Sequence, residues 1–203
     1  MAEKNDYVNR ELSWIEFNYR VLSEARDKST PLFDRLKFLS ITASNLDEFY
    51  MVRVASLKDM VHAKYAKKDI AGLTAKEQLD KISEKTHQLV DLQYSTYNRS
   101  LVPALKQNGL RIVMEHEDLT EDEAAFADEY FHKNVYPVLT PMAFDSSRPF
   151  PLIRNKTLNI AALLKKKNEK EAELEFAMVQ VPSVIPRIVE LPEEKDENGE
   201  TQR

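Results

Sequence analysis

The chain has 203 residues, of which 42% are hydrophobic and 31% charged, and its formal net charge is −5. It contains no cysteine, which excludes disulfides, thiolate metal sites and thiol catalysis, and no apolar run approaches the roughly 20 residues that span a membrane. With three glycines in the whole sequence, there is no glycine-rich phosphate-binding loop. We therefore expect a cytoplasmic protein without a transmembrane segment.

The charge is distributed unevenly along the chain. Residues 1–107 carry 17 basic against 15 acidic side chains, whereas residues 108–203 carry 12 against 19. The acidic surplus of the second half argues against a nucleic-acid groove there, so we expect no nucleic-acid partner. The asymmetry also favours two domains, divided between residues 107 and 108.

The first predicted helix begins at Ser13, because Ser13 and Glu16 have the spacing of a capping box. We expect it to end near Ala25. Thr30 followed by Pro31 predicts the next start, with Thr30 as N-cap and Pro31 at the first helical position.

A fresh helix start is predicted at Ser44, with Asp47 three residues further on, and that helix should reach about Ala66. Asn45 then falls in the first turn, where free backbone N–H groups and the positive end of the helix dipole favour anions such as phosphate. Its side-chain amide can donate and accept, which suits a nucleotide base or a phosphate oxygen. The alternative is that Asn45 only helps to cap the helix.

Arg53 is the second unusual residue, because it lies one helical turn from both Phe49 and Leu57, within an apolar stripe. A cation in that position needs a partner, since an unpaired buried charge is costly. One interpretation is a structural ion pair with an acid such as Glu16 or Glu48. The other is a phosphate contact.

Another capping box, formed by Thr74 and Glu77, predicts a long helix that Pro103 must kink or end. Gly109 suits a C-terminal stop. Several helices joined by short loops predict an antiparallel bundle over residues 1–107.

Residues 108–203 read as an α+β domain. Its one predicted helix is capped by Thr120 and Glu123 and reaches about Asn134. The predicted extended segments are residues 110–114, 136–141, 158–164, 174–181 and 182–191. The third and fourth of these form a β-hairpin across a charged connection at 165–173. The chain ends in a charged segment after Leu191, so we expect this domain to be incomplete at its C-terminal end.

No catalytic centre or metal site is predicted in the chain. The histidines have neither the i, i+4 spacing of metal ligands nor an H-E-x-x-H motif, so surface or ion-paired roles are expected for each of them. They are His62, His87, His116 and His132.

Three segments of the helical half closely resemble, in order and spacing, the start of the bacterial polyphosphate kinase family. They are RELSWIEFN at residues 10–18, PL with RLKFL at residues 31–39, and SNLDEFYMVR at residues 44–53. Residues 136–141 and 181–187 are similar to the next domain of that family. The resemblance implies a helical N-terminal domain followed by part of a head domain.

The family resemblance also implies an activity. Members transfer the terminal phosphate of ATP reversibly to inorganic polyphosphate through a phosphohistidine. Their nucleophilic histidine and Mg²⁺ ligands lie in C-terminal domains that this sequence does not reach, so the chain alone is expected to be inactive. Asn45 matches the family asparagine that contacts ATP, whereas Arg53 matches a motif position without a ligand role that we can transfer.

Partners follow from the same resemblance: ATP or ADP, polyphosphate, and further copies of the chain in a dimer or tetramer assembled through the head domain. The implied location is the cytoplasm, with or without peripheral membrane association. The competing hypothesis is a non-catalytic helical module for interaction or oligomerisation. The coding sequence beyond Arg203 distinguishes the two, because only the kinase requires a catalytic histidine there.

Overall fold

The computed structural model describes residues 7–144, 150, 152–165 and 175–192. The chain divides into two compact units, residues 1–112 and 113–203. The first unit is helical, and the second combines a helix with a small sheet, so the predicted α and α+β fold class is confirmed. No helix among the described residues is both long and apolar enough to cross a membrane.

The helices of the first unit pack as a bundle in which α1 lies against both α2 and α4. The helices are α1 (Arg10–Arg26), α2 (Leu32–Phe49), α3 (Ala55–His62), α4 (Ala75–Thr96) and α5 (Val102–Gln107). A π-helical turn at Tyr50–Val54 joins α2 to α3, and another at Tyr97–Leu101 joins α4 to α5. Each π turn holds one residue more than an α turn and therefore rotates the side chains that follow it.

Two apolar clusters form the core of this bundle, and α1 contributes to both. The first contains Ile15, Phe49, Val54, Leu57, Ala75 and Ile82. The second contains Leu22, Ala25, Leu39, Leu89 and Leu101. Burial of each large side chain contributes about 1.5–3 kcal/mol, so the clusters are the main source of the bundle's stability.

The start of α1 differs from the prediction. Asn9, not Ser13, is the N-cap, and its Oδ1 accepts a hydrogen bond from the backbone N–H of Leu12 at 2.9 Å. Its Nδ2 also donates to Asp69 Oδ2 at 2.7 Å and to Gln78 Oε1 at 2.9 Å. The capping box at Ser13 is therefore wrong, because a buried asparagine that also binds α4 sets the helix start one turn earlier.

The predicted bounds of the following helices are partly wrong. α2 begins at Leu32 after Pro31, which occupies the N-cap position itself and makes no side-chain cap, so Thr30 is not the cap. There is no new start at Ser44, because α2 runs unbroken to Phe49. The α3 helix ends at His62, four residues before the predicted end.

The predicted capping box before α4 is confirmed. The backbone N–H of Thr74 donates to Glu77 Oε2 at 2.7 Å, and the backbone N–H of Glu77 donates to Thr74 Oγ1 at 3.3 Å. Pro103 lies in the first turn of α5, directly after the second π turn, so the predicted irregularity precedes the proline and the helix then continues.

Gly109 ends α5, as predicted. Its φ of +84° is a left-handed conformation that favours glycine. The N–H of Leu110 donates to the carbonyl of Leu105 at 2.9 Å and that of Gly109 to Lys106 at 3.2 Å, a Schellman arrangement. The predicted strand at residues 110–114 is wrong, because Leu110 takes part in this helix stop and the segment pairs with no strand among the described residues.

In the second unit, α6 (Glu121–Tyr130) begins with the predicted capping box of Thr120 and Glu123 and continues as a π turn at Phe131–Val135. Short 3-10 turns occur at His116–Asp118 and Tyr136–Val138. Of the predicted extended segment 136–141, only Thr140 and Pro141 lie in a strand. Residues 182–191, also predicted to be extended, form no strand.

The sheet of the second unit has three described strands, β1 (Thr140–Phe144), β2 (Leu158–Leu164) and β3 (Glu175–Val181), in the antiparallel order β1-β3-β2. The predicted hairpin of β2 and β3 is confirmed, with Ile160 opposite Val179. Most of its predicted charged connection, residues 166–173, lies outside the described residues. Met178 in the central strand is buried, with 4% of its surface exposed.

Candidate functional site

A groove of about 410 Å³ lies on the first unit, between α1 and the end of α2 with its π turn. It combines an aromatic wall with a charged rim. The lining residues are Arg10, Glu11, Trp14, Phe17, Asn45, Glu48, Phe49, Val52 and Arg53. All of them fall in two of the family-like segments, residues 10–18 and 44–53, which the fold brings together.

The aromatic wall is built by Trp14 of α1 and Phe49 of α2. Their rings are stacked, with centroids 4.3 Å apart and planes 2° from parallel. Phe49 is buried in the first core cluster, and Tyr50 meets it edge-on at 6.1 Å. Phe17 and Val52 are exposed and extend the apolar surface. The groove therefore has an aromatic wall that is anchored in the core, with Trp14 as its partly exposed member.

Asn45 lies inside α2 and not at a helix start, so the expected role of a helix N-terminus in attracting an anion is wrong at this position. The alternative role of Asn45, capping a helix, is excluded for the same reason. Its side chain is half-buried, and its Nδ2 donates to Oδ1 of Asn18 at 3.1 Å. Any recognition by Asn45 must therefore use its side-chain amide.

Arg53 forms the predicted structural ion pair, but its partner is Glu11 of α1. Arg53 Nε donates to Glu11 Oε1 at 3.1 Å, and its Nη2 contacts the same oxygen. The Glu11 side chain is only 7% exposed, and Arg10 Nη2 also reaches it at 3.2 Å. Neither Glu16 nor Glu48 is the partner, and Glu16 pairs instead with Lys85.

The π turn explains this partner. Phe49, Val54 and Leu57 are the buried members of the stripe, so the residue five positions after Phe49 takes the core place that an α-helix would give to Arg53. Arg53 is displaced to the side of the stripe, where its side chain is 41% exposed and meets α1.

The histidines are not gathered in this groove. His87 Nδ1 lies 2.7 Å from the carbonyl of Ser83, and His116 Nε2 lies 3.9 Å from Asp128 Oδ1. Across the described part of the chain, no three His, Cys, Asp or Glu side chains are grouped so as to hold a metal ion.

Sequence reasoning missed Asn18, Trp14 and Glu11 as parts of the site. Asn18 carried a usable signal, since it shares the buried face of α1 with Ile15 and Leu22, where an amide needs a specific partner. Trp14 and Glu11 lie in the family-like segment at residues 10–18, but the sequence assigned them no role in a site, because that role depends on α2 lying beside α1.

Comparison with known proteins identifies both units. The family model described as "Polyphosphate kinase N-terminal domain" matches residues 7–113, and "Polyphosphate kinase middle domain" matches residues 122–202. The chain is 55% identical over 186 residues to a polyphosphate kinase of Lactiplantibacillus plantarum, covering 92% of this chain and 26% of that protein. A polyphosphate kinase of Bacillus anthracis is 50% identical over 191 residues, covering 93% and 27%.

A solved structure agrees with these matches. The crystal structure of polyphosphate kinase from Porphyromonas gingivalis superposes with a TM-score of 0.78 at 34% sequence identity, covering 93% of this chain and 27% of that one. The chain spans about a quarter of the length of the relatives it matches.

Proposed function

This chain belongs to the polyphosphate kinase family, and we propose that its helical part, residues 1–107, forms the roof of that enzyme's ATP pocket, with Asn45 contacting the nucleotide. We base this on one observation: Asn45 opens into a groove beside the stacked rings of Trp14 and Phe49. A flat aromatic surface next to an amide suits a nucleobase, which stacks through its face and forms hydrogen bonds through its edge.

The charges of the rim are compatible with a nucleotide. Glu11 is neutralised by Arg53, and Arg10 is largely exposed, with 72% of its side chain accessible, so it can meet a phosphate. A groove open on one side and a single amide hold a nucleotide weakly. We therefore propose that the remaining contacts come from parts of the full-length enzyme outside this chain.

The proposed reaction of the full-length enzyme is the reversible transfer of the terminal phosphate of ATP to inorganic polyphosphate through a phosphohistidine. We assign its nucleophilic histidine and Mg²⁺ ligands to regions outside this chain. No metal-binding cluster occurs in the described residues, so no step through magnesium is assigned to them. The chain on its own should have no kinase activity.

Residues 108–203 are proposed to act as the head domain, through which copies of the enzyme form a dimer or tetramer. In the described sheet, β1 and β2 are edge strands, and β2 exposes apolar side chains such as Ile160 and Leu163. Exposed apolar edge strands are prone to pair with another chain. The alternative function, a non-catalytic interaction module, would use the same surface and would not need Asn45.

The substitution Asn45→Ala in a full-length enzyme carrying this segment tests the proposal. Loss of one hydrogen bond to the substrate should raise KM for ATP about tenfold and leave KM for polyphosphate unchanged. Asn98→Ala is a matched control, because Asn98 is an exposed asparagine of the same unit that does not line the groove. Equal KM for ATP in both variants would exclude the nucleotide role of Asn45.

A further inference from the structure

A chain of two hydrogen bonds links the core of the bundle to the groove. Asn18 of α1 is completely buried, with 0% of its surface exposed. Its Nδ2 donates to the backbone carbonyl of Thr42 in α2 at 3.1 Å. Its Oδ1 accepts from Nδ2 of Asn45, also at 3.1 Å. The groove amide is thus supported by a residue that no ligand can touch.

The polarity of this chain is fixed at its inner end. A peptide carbonyl only accepts hydrogen bonds, so Asn18 must turn its NH₂ group towards Thr42 and its oxygen towards Asn45. That oxygen can be satisfied only by an N–H of Asn45. The reverse orientation would place two oxygens against each other in a buried position, which is costly.

Asn45 therefore has one preferred amide orientation. Its Nδ2 is directed at Asn18, and its Oδ1 forms no hydrogen bond with any residue that the structure describes. Since Asn45 lines the groove, this oxygen is the acceptor left for a ligand, and the second N–H of Nδ2 is the remaining donor. A carbonyl oxygen accepts from N–H and O–H groups and repels phosphate oxygens.

We propose that Asn18 is a positioning residue that holds Asn45 with its carbonyl oxygen towards the groove, so that Asn45 recognises a hydrogen-bond donor of the nucleoside. This inference rests on the proposed nucleotide role of Asn45. The donor is either the exocyclic amine of the base or a ribose hydroxyl, because both groups can donate a hydrogen bond to a carbonyl oxygen. A contact between Asn45 Oδ1 and the phosphate chain is excluded by the same polarity.

The positioning role is tested in the full-length enzyme with Asn18→Leu, Asn45→Ala and the double variant. A leucine at position 18 has nearly the shape of asparagine but no oxygen to accept from Nδ2 of Asn45, so the orientation of Asn45 is lost. KM for ATP should rise about tenfold in Asn18→Leu, with KM for polyphosphate unchanged. In the Asn45→Ala background, Asn18→Leu should change KM for ATP by less than about twofold, because the two residues act as one unit.

The outcomes separate the two proposals. If Asn45→Ala leaves KM for ATP unchanged, the nucleotide role itself fails. If Asn45→Ala raises KM but Asn18→Leu does not, or if Asn18→Leu raises KM equally in the Asn45→Ala background, the positioning role is overturned and the nucleotide role stands. If Asn18→Leu does not fold, Asn18→Ala takes its place in the same cycle, with the same expected and contradicting results.

The donor class is tested without any change at position 18. Wild type and Asn45→Ala are compared with ATP, with inosine triphosphate, which lacks the exocyclic amine, and with 2′- and 3′-deoxy-ATP. Asn45→Ala should raise KM about tenfold for ATP and less than about twofold for the analogue that lacks the recognised donor, which identifies the amine or a hydroxyl. Equal losses for all four nucleotides would indicate a phosphate contact and overturn the inference.

Discussion

The indole of Trp14 and the phenyl ring of Phe49 lie parallel, with centroids 4.3 Å apart, and join α1 to the end of α2 one turn from Asn45. Phe49 is also a member of the first core cluster. The wall of the groove is therefore part of the core, and the geometry of the groove depends on the packing of the bundle.

Phe49→Ala should lower the free energy of unfolding by about 3–5 kcal/mol, because it leaves a cavity at a site that is 3% exposed. Trp14 is the single tryptophan of the chain, so its fluorescence reports unfolding at the groove itself. Phe33→Ala, at an exposed phenylalanine of the same α2, is the matched control and should change stability by less than about 1 kcal/mol. A loss for Phe49→Ala as small as the one expected for Phe33→Ala would show that the stacked pair is not part of the core.

Arg53→Ala should destabilise the bundle more than Arg10→Ala. Removal of Arg53 takes the closer cation from the buried Glu11 carboxylate, and since Arg53 is itself partly exposed we expect a loss of about 1–3 kcal/mol. Arg10 is largely exposed, and its removal should cost under about 1 kcal/mol. Urea unfolding of the two variants measures the difference, and the reverse order would contradict the assignment of Arg53 to a structural pair.

The capping box of α4 should make stability depend on pH. Backbone and side-chain hydrogen bonds from Thr74 lower the pKa of Glu77 from its ordinary value of 4.5. A carboxyl group whose pKa is lower in the folded state stabilises the fold above the unfolded pKa, and this contribution is lost as pH falls through the folded pKa. The stability difference between wild type and Glu77→Gln should therefore be greatest near neutral pH and disappear on acidification.

Thermal unfolding from about pH 7 down to pH 3 measures this dependence. Glu84→Gln, on the exposed side of the same helix and outside the cap, is the matched control. A wild-type advantage over Glu77→Gln that is independent of pH would contradict the capping role of the carboxylate.

Ile160→Lys should weaken self-association of the full-length enzyme. Ile160 is 54% exposed on the edge strand β2, and a lysine there opposes strand pairing and apolar contact. Ser183→Lys adds the same charge outside the strands and serves as the control. Sedimentation velocity should show more of the smaller species for Ile160→Lys only; an unchanged distribution would place the dimer contact elsewhere.

Local signals predicted several elements correctly. Both Thr–Glu capping boxes and the Gly109 stop were found, because each depends on residues within one helical turn. The hairpin of β2 and β3 was recognisable from two apolar runs separated by a charged segment.

The errors arise where tertiary contacts decide. Ser13 has the right spacing for a cap, but Asn9 is the N-cap of α1 because it also binds Asp69 and Gln78, which are distant in sequence. Ser44 resembles a helix start, yet α2 continues through it because its buried face packs on α1. The 3.6-residue period by which helices are predicted from sequence does not reveal the π turn that places Arg53 next to Glu11.

The sequence singles out two of the residues that line the groove, Asn45 and Arg53. Asn45 was identified from its motif, but for a helix-start geometry that the fold does not have. Its actual setting depends on Asn18, which is 27 positions earlier in the sequence and becomes a neighbour only when α1 packs on α2.

The affinity of a full-length enzyme for a non-hydrolysable ATP analogue, measured by calorimetry for wild type, Asn45→Ala and Asn98→Ala, tests the central claim most directly. Loss of the Asn45 amide should weaken binding about tenfold, whereas Asn98→Ala should bind as wild type does. Wild-type affinity in Asn45→Ala, with the bundle folded, would contradict the assignment of this groove to ATP.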